Sequence, residues 1–436
     1  MLLYPLWAVL ASVPCVYLAA RYTRNGITTL VASLCFLVSS LFVLLSFSRF
    51  SVNTSFSSMN DLLVWEVTRF SVAASLLFVA VSIPCLMLYL PTVAGRILPQ
   101  VSALIHLVIF SALGSLFAAD VISFSILFEG VPLFAIAVAG FGTRVRTGPY
   151  QYVLYFLPFL VLLSFAAASA DGSREISALS MGGGLSLLLA AVVAARLFLF
   201  PFGQPALLCL PLGMTAAGPH ALFALPAIAL FALVKFLPHS STLGYVVLML
   251  ASFSVIVWAL LCYRQREPAR VMFYSYLAQT AMVTTMVVYG LWTGRHLHGA
   301  SFLILGNHLL SGLGVLLCVS TDENTRGRFG SLALLFFIFC MLGLPPSPGF
   351  FGRLDLFRAS LAAPDIPGYL LRLSFLANLF VVYCQSKHLS PVVEQVKSGS
   401  GTPRIVFIAL SLLAGYLVAG MLFLPQLRGY LTGLAL

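Results

Sequence analysis

Charged residues are scarce in this chain. Only 8% of its 436 residues are Asp, Glu, Lys or Arg, whereas 61% are hydrophobic. A soluble domain of this length could not bury so much apolar surface. Apolar runs of about 20 residues instead match the roughly 30 Å hydrocarbon core of a bilayer. The composition therefore predicts an integral, multi-span α-helical membrane protein.

Metal, redox and nucleotide motifs are also lacking. The eight cysteines are scattered, none forms a CxxC pair, and most lie inside apolar runs. This pattern is typical of small packing residues and not of an iron–sulfur, zinc or haem site. The glycines at 181–186 begin an apolar helix, where close helix packing is favoured over phosphate binding. We expect no cofactor and no metal in this chain.

The net charge of +11 follows from 23 basic and 12 acidic residues. These charges lie between the apolar runs, so membrane topology explains them better than binding to nucleic acid. The runs predict about fourteen spans. Their limits are 3–20, 28–47, 69–90, 99–117, 120–141, 150–170, 178–200, 205–237, 243–262, 270–291, 298–320, 329–350, 368–384 and 404–424.

Cations concentrate in the odd-numbered loops, such as Arg21 with Arg24, or Arg264 with Arg266. The positive-inside rule then places odd loops in the cytoplasm or matrix and both termini on the opposite side. The first span lacks a basic leader, so we expect it to be retained.

Proline-rich stretches fall at corresponding places in two halves of the chain. "FPFGQP" (200–205) ends the seventh span, and "LPPSPGFFG" (344–352) interrupts the twelfth. Matching broken helices are typical of inverted-repeat transporters. We therefore predict two inverted five-helix repeats, spans 4–8 and 9–13. The predicted segments are a three-helix segment (1–98), two antiporter-like repeats (99–238 and 239–390) and a C-terminal helix (391–436).

Glu129 lies in the strongly apolar stretch "DVISFSILFEGVPLF", nine residues after Asp120. At 1.5 Å per residue, it would lie about 13 Å deep. A charge at that depth costs about 3 kcal/mol on insertion scales, so an ion-path carboxylate is favoured. A neutral structural glutamate is the alternative.

Two cations end apolar runs in the first repeat. Arg196 lies in "AAVVAARLFLFP" and Lys235 in "ALFALVKFLP". Both could extend to the membrane interface. In a proton path, lysine could carry a proton, whereas arginine would stay charged and act as an electrostatic partner.

The second repeat holds His308, Arg353 and Asp355 as candidates. His308 could be a satisfied packing histidine, and Arg353 with Asp355 could be an interfacial pair. As functional groups, all three would belong to a proton path.

Several of these stretches resemble subunit 4 of respiratory complex I (NADH:quinone oxidoreductase). The quoted stretch around Glu129 resembles its fifth span. "CYRQREPARVMFYSYLAQTAMV" (262–283) is similar to its junction of spans 9 and 10, and "HGASFLILGNHLLSGLGVLL" to its eleventh span. "LGLPPSPGFFG" is similar to its broken twelfth span, and "LPLGMTAAGPHALFAL" (210–225) to the antiporter motif of the wider family. The matches cover about 120–355.

The resemblance implies a fourteen-helix fold and proton translocation driven by electron transfer elsewhere. Cofactors (FMN, iron–sulfur clusters, NADH and ubiquinone) would lie in other subunits. Partners would be antiporter-like subunits 2 and 5, accessory subunits and membrane lipids. The implied location is the mitochondrial inner membrane, with both termini in the intermembrane space.

The charged positions depart from the family pattern. The family's seventh-span lysine falls on Phe200, one turn from Arg196, and its eighth-span lysine falls near Phe231, one turn from Lys235. Its eleventh-span histidine falls on Asn307, beside His308. Its twelfth-span acid falls on Arg353.

Three alternatives remain open at this point. An Mrp-type cation/proton antiporter subunit shares the repeat, and a structural complex I subunit could carry a decayed channel. Subunit 2 is the runner-up within complex I, because its twelfth-span position is basic, as Arg353 is.

Overall fold

The computed structural model describes residues 3–47, 54–58, 63–142, 183–201, 218–237, 241–293, 297–320, 323–363, 365–387, 393 and 404–422. These residues form fourteen α-helices and one two-stranded sheet. Eight of the helices are long and apolar enough to cross a membrane. The predicted all-α polytopic class is confirmed. The predicted sixth span (150–170) lies outside the described residues.

The chain divides into two compact units. The first takes in Met1–Met181 and Pro211–Phe231, and the second takes in Gly182–Leu210 and Ala232–Leu436. The predicted segment boundaries at 98, 238 and 390 stay a prediction.

The first unit is built around antiparallel helix pairs. Helix α4 packs against both α1 and α5, and α1 also packs against α2. A capping box begins α3, because Thr68 and Ser71 each accept a hydrogen bond from the other's backbone N–H. The elements are α1 (Tyr4–Thr23), α2 (Gly26–Phe47), β1 (Thr54–Ser58), β2 (Leu63–Val67), α3 (Arg69–Tyr89), α4 (Leu98–Phe117) and α5 (Val121–Gly142).

The β1–β2 hairpin is a feature that the sequence did not predict. Its strands pair antiparallel, with Phe56 opposite Trp65. Trp65 is buried and also forms a β-bridge with Ala118, in the turn between α4 and α5. The hairpin therefore fixes the turn from which α5 begins.

The second unit is centred on α9, whose apolar window is buried along its whole length. Helix α9 packs against α8, α10, α12 and α13. The boundary between the units falls inside α7. The helices are α6 (Gly183–Arg196), α7 (Gly218–Phe236), α8 (Ser241–Arg264), α9 (Pro268–Thr293), α10 (His298–Ser320), α11 (Glu323–Met341, kinked at Gly327), α12 (Pro348–Ala362), α13 (Ile366–Ser386) and α14 (Arg404–Leu422).

The predicted break in the twelfth span is confirmed. Helix α11 ends at Met341 and α12 begins at Pro348. The seventh span likewise stops early, since α6 ends at Arg196, before Pro201. Proline lacks the amide proton that would continue either helix.

The two helix ends form the same pattern of backbone hydrogen bonds, 145 positions apart (338 minus 193). In each, three successive amides donate to carbonyls four, three and five residues earlier. The residue in the middle of the three has positive φ, +55° for Phe198 and +66° for Gly343. The bonds run from Leu197 to Val193, Phe198 to Ala195 and Leu199 to Ala194, and from Leu342 to Ile338, Gly343 to Cys340 and Leu344 to Phe339.

Candidate functional site

Glu129 is carried by α5, and the start of α5 is fixed by Asp120. The Asp120 Oδ1 atom accepts a 2.8 Å hydrogen bond from the amide of Ser123, whose hydroxyl donates to the second carboxylate oxygen. Asp120 therefore caps the helix. Nine residues later, Glu129 lies about 13 Å along the axis and is only 4% exposed. A buried carboxylate at this depth is a default functional candidate.

His106 is a buried ionisable residue that the sequence analysis missed. Its Nδ1 atom lies 2.8 Å from the carbonyl oxygen of Ser102. Its Nε2 atom is buried and has no hydrogen-bond partner among the described residues. The signal was available, because a histidine inside an apolar span is rare and merits attention.

Packing of α4 on α5 sets the level of His106 relative to Glu129. Gly114 lies against Leu127, and Gly130 lies against Ser111. This antiparallel register places Glu129 level with residue 112. His106 is six residues further along α4, which corresponds to about 9 Å along the axis.

Arg196 is the last residue of α6 and is 1% exposed. A cation is electrostatically favoured at a helix C-terminus. Beyond it, helix α8 satisfies the backbone of the break. The indole Nε1 of Trp258 donates to the Phe198 carbonyl at 3.1 Å, and the Phe200 amide donates to the Ser254 hydroxyl at 2.8 Å. Irregular backbone at membrane depth needs such partners.

Arg353 closes the second break. Its guanidinium donates to the carbonyl oxygens of Leu342 at 2.5 Å and Met341 at 2.8 Å, at the end of α11. It also donates to Gln279 Oε1 on α9 at 3.1 Å. The Gln279 amide nitrogen donates in turn to Asn378 on α13. One cation from α12 therefore connects α11, α9 and α13.

Gly343 allows Arg353 to approach this closely. A Cβ atom at residue 343 would lie 2.5 Å from Arg353 Nε. The positive φ of +66° adds a second requirement for glycine.

We expect Gly343→Ala to displace the guanidinium and strain the turn. The free energy of unfolding should fall by about 2 kcal/mol, measured by thermal unfolding in detergent. Gly415→Ala is the matched control, since nothing lies within 4 Å of a Cβ there. Equal effects of the two substitutions would contradict this account.

His308 lies on α10, and its side chain contacts α9. Its Nε2 atom is 3.1 Å from the hydroxyl oxygen of Thr280, and that hydroxyl donates to the Tyr276 carbonyl. Nε2 must then be the donor, which leaves Nδ1 as an acceptor. Nδ1 is buried and has no partner among the described residues. The imidazole stacks on the Tyr276 ring at 5.6 Å. Nε2 is thus held by its hydrogen bond to Thr280, whereas Nδ1 can accept a proton.

Asn307 occupies the position where the resemblance places the family's histidine. Its amide nitrogen donates to the Cys340 carbonyl at 2.7 Å, near the end of α11. The neighbouring His308 bonds to α9 instead. The two side chains therefore contact different helices, and His308 does not reproduce the contact that Asn307 makes.

Asp355 and Lys235 are both half-buried. Asp355 is two residues from Arg353 on α12, and side chains at that spacing do not face each other. Among the described residues, Arg353 donates to Gln279 and to the backbone carbonyls of Met341 and Leu342. Lys235 lies in the last turn of α7.

The described structure brings His308 and Arg353 to neighbouring residues of α9, Thr280 and Gln279. Glu129 belongs to the first unit, whereas Arg196 and Lys235 belong to the second. The predicted coupling of Glu129 to Arg196 and Lys235 stays a prediction. Within the described ranges, no cluster of three or more His, Cys, Asp or Glu could hold a metal ion.

One end of the second unit is rich in cations. Lys387, just past α13, lies over the rings of Tyr383 at 4.5 Å and Tyr263 at 5.1 Å. A hydrogen bond with the Tyr383 hydroxyl raises the pKa of Lys387. Arg270 pairs with Glu267 at 2.7 Å between α8 and α9. The contact of Lys387 with Tyr263 places two odd-numbered loops at the same end.

Structural comparison identifies the fold. The chain is similar to a chain of respiratory complex I from Thermus thermophilus, with a TM-score of 0.79 and 16% identity, covering 99% of this chain and 98% of that one. A chain of an archaeal membrane-bound sulfane sulfur reductase gives 0.81 and 15%, over 99% and 96%. A chain of the Mrp complex from Dietzia gives 0.80 and 17%, over 99% of this chain and 51% of that one. The fold is that of the antiporter-like membrane subunits of complex I.

Sequence comparison adds one named relative. NADH-quinone oxidoreductase subunit N of Geobacter metallireducens is 28% identical over 348 residues, which are 70% of this chain and 72% of that protein. No family model matches the chain.

Proposed function

We propose that the chain is a proton-translocating membrane subunit of a complex I-type NADH–quinone oxidoreductase. Glu129 carries this proposal, because it is a carboxylate 4% exposed at the middle depth of a membrane helix. The fold likeness to complex I and the relative named NADH-quinone oxidoreductase subunit N support it. The enzyme reaction itself would occur in other subunits, which would hold FMN, iron–sulfur clusters, NADH and ubiquinone.

In the first repeat, Glu129 would exchange protons with water and respond to the charge of Arg196. Arg196 would favour the ionised carboxylate, because an opposite charge stabilises it. Lys235 would receive the resulting charge change, since a desolvated lysine can release its proton.

In the second repeat, Arg353 and His308 would have different roles. Arginine does not lose its proton in proteins, so Arg353 would act as a fixed charge. Its bonds to the carbonyls of Met341 and Leu342 support that role. His308 would take up the proton at Nδ1, while Thr280 holds Nε2. Asp355 would belong to the same path.

Within complex I, we assign the chain to subunit 4 of a divergent mitochondrial type. The support is the motif resemblance over about 120–355, above all the 262–283 junction. Its neighbours would be antiporter-like subunits 2 and 5, accessory subunits and lipids of the inner membrane, with both termini in the intermembrane space. The basic Arg353 keeps subunit 2 as the runner-up. The relative's printed name, subunit N, does not specify subunit 4.

An Mrp-type cation/proton antiporter subunit is the second candidate, favoured by the TM-score of 0.80 with the Mrp chain. A structural membrane-arm subunit with a decayed channel is the third.

Purification from native membranes separates the first two candidates. An affinity tag on this chain should retain subunits that oxidise NADH and contain iron–sulfur clusters, detected by their activity and absorbance. A control purification would carry the same tag on an unrelated multi-span protein of that membrane. Recovery of an intact assembly without NADH oxidation or iron would overturn the complex I assignment.

A further inference from the structure

A cavity of about 760 Å³ lies at the end of the second unit opposite its cation-rich end. Its lining residues lie at the start of α8, the end of α9, the end of α12 and the start of α13. Four helix ends meet there, so the cavity lies at the level of the membrane interface if these helices span the bilayer. None of the site residues Glu129, Arg196, Lys235, His308, Arg353 or Asp355 lines it.

Three aromatic residues form one wall of the cavity. The rings of Tyr245 and Trp292 meet edge to face at 4.2 Å and 85°. Both tyrosines line the cavity. Tyr245 is 44% exposed, whereas Tyr289 is buried. Aromatic faces attract cations, and quaternary ammonium groups are bound in such surroundings.

Asp365 places a carboxylate at the rim of the same cavity. One of its oxygens accepts the Gly368 amide at 2.8 Å and caps α13. The side chain is exposed, so its charge is accessible to a ligand. A carboxylate beside aromatic faces favours an ammonium group over an anion.

Arg372 supplies a cation close to the cavity. It donates to the carbonyl oxygens of Gly368 and Ala363, and Ala363 lines the cavity. Its guanidinium carbon lies 4.2 Å from the centre of the Tyr369 ring. Two carbonyl bonds leave further N–H donors of the five on a guanidinium, and these suit a phosphate.

An apolar stripe leads away from the cavity along α13. Ile366, Tyr369, Leu373 and Leu376 follow each other at three- and four-residue spacing and are 44–65% exposed. This spacing puts them on one face of the helix. An acyl chain extending from the cavity towards the bilayer centre would lie on this face.

We propose that this cavity binds the headgroup of a zwitterionic phospholipid, with its ammonium against Tyr245, Trp292 and Asp365 and its phosphate at Arg372. The proposal does not depend on the function proposed above. An anionic lipid offers a phosphate but no cation for the aromatic wall, and it would meet the Asp365 carboxylate.

Native mass spectrometry of the full chain in detergent, titrated separately with three lipids, tests the site. Phosphatidylethanolamine and phosphatidylcholine should bind about tenfold more tightly than phosphatidylglycerol. Asp365→Asn keeps a capping oxygen and removes the charge, so the chain should fold normally. It should weaken binding of both zwitterionic lipids about tenfold, as should Tyr245→Leu. Tyr245→Leu should leave binding of phosphatidylglycerol unchanged, whereas Asp365→Asn should strengthen it, because it removes a like charge.

The matched controls come from the opposite end of the unit. Tyr263→Leu changes the same residue type on the same helix, and Glu267→Gln removes an exposed acid. Both should leave the lipid affinities unchanged. The proposal would be overturned if the unsubstituted chain bound phosphatidylglycerol as tightly as the zwitterionic lipids, or more tightly. It would also be overturned if Asp365→Asn and Tyr245→Leu had no effect on binding of the zwitterionic lipids. Tighter binding of phosphatidylcholine than of phosphatidylethanolamine would show that the ammonium group is held mainly by the aromatic rings. The opposite order would show that it is held mainly by Asp365.

Discussion

Glu129→Gln should reduce proton translocation per NADH oxidised by at least about tenfold in the reconstituted complex. Glutamine keeps the size and polarity of the side chain but cannot take up or release a proton. Helix α5 should still form, because its cap at Asp120 and Ser123 is untouched. The measurement is acidification or dye quenching in proteoliposomes, normalised to NADH oxidation.

Glu66→Gln is the control for this substitution. Glu66 lies on β2, outside the membrane helices, and is also a glutamate of the first unit. It should pump normally. If Glu129→Gln also pumps normally and the complex is fully assembled, then Glu129 is structural and the decayed-channel alternative is favoured.

Arg353→Met should have the largest effect on stability. The substitution keeps much of the side-chain length but leaves the Met341 and Leu342 carbonyls and Gln279 Oε1 without this donor. Buried groups that lose a charged partner cost about 3–5 kcal/mol in total. We expect a large fall in the thermal unfolding temperature of the purified chain.

Two variants on the same helix calibrate that result. Arg358→Met changes an exposed arginine of α12 and should shift the unfolding temperature little. Arg353→Lys keeps a cation but not the fork of donors, so its stability should lie between wild type and Arg353→Met. Equal stability of Arg353→Met and Arg358→Met would show that the carbonyl clamp contributes nothing measurable.

The sequence predicts the spans well because membrane helices have a strong signal in length and hydropathy. It also predicts the break at 344–352, since consecutive prolines cannot continue a helix. The hairpin at Trp65 was not predicted. Short strands between spans carry little hydrophobic periodicity, and the pairing of Trp65 with Ala118 joins residues far apart in sequence.

The contacts of the candidate site were less predictable than its residues. The sequence suggested Asp355 as a partner of Arg353. The Arg353 guanidinium instead bonds to backbone carbonyls that are left without a helical partner because α11 ends at Met341. Such acceptors carry no side-chain signature. His106 was not predicted, because a single histidine in an apolar span gives no sign of its packing partners in the sequence.

The paired helix ends have a consequence for evolutionary drift. The same three backbone bonds form around Phe198 and around Gly343, although one residue is large and the other has no side chain. A turn held by main-chain hydrogen bonds can therefore persist when the residues that form it are replaced. Phenylalanine in the left-handed region costs on the order of 1 kcal/mol or more, which a buried packing position can offset. A molecule built from such turns can keep a TM-score near 0.8 with other structures at about 16% identity. For proteins of this kind, a shared fold is better recognised from backbone geometry than from residue identity.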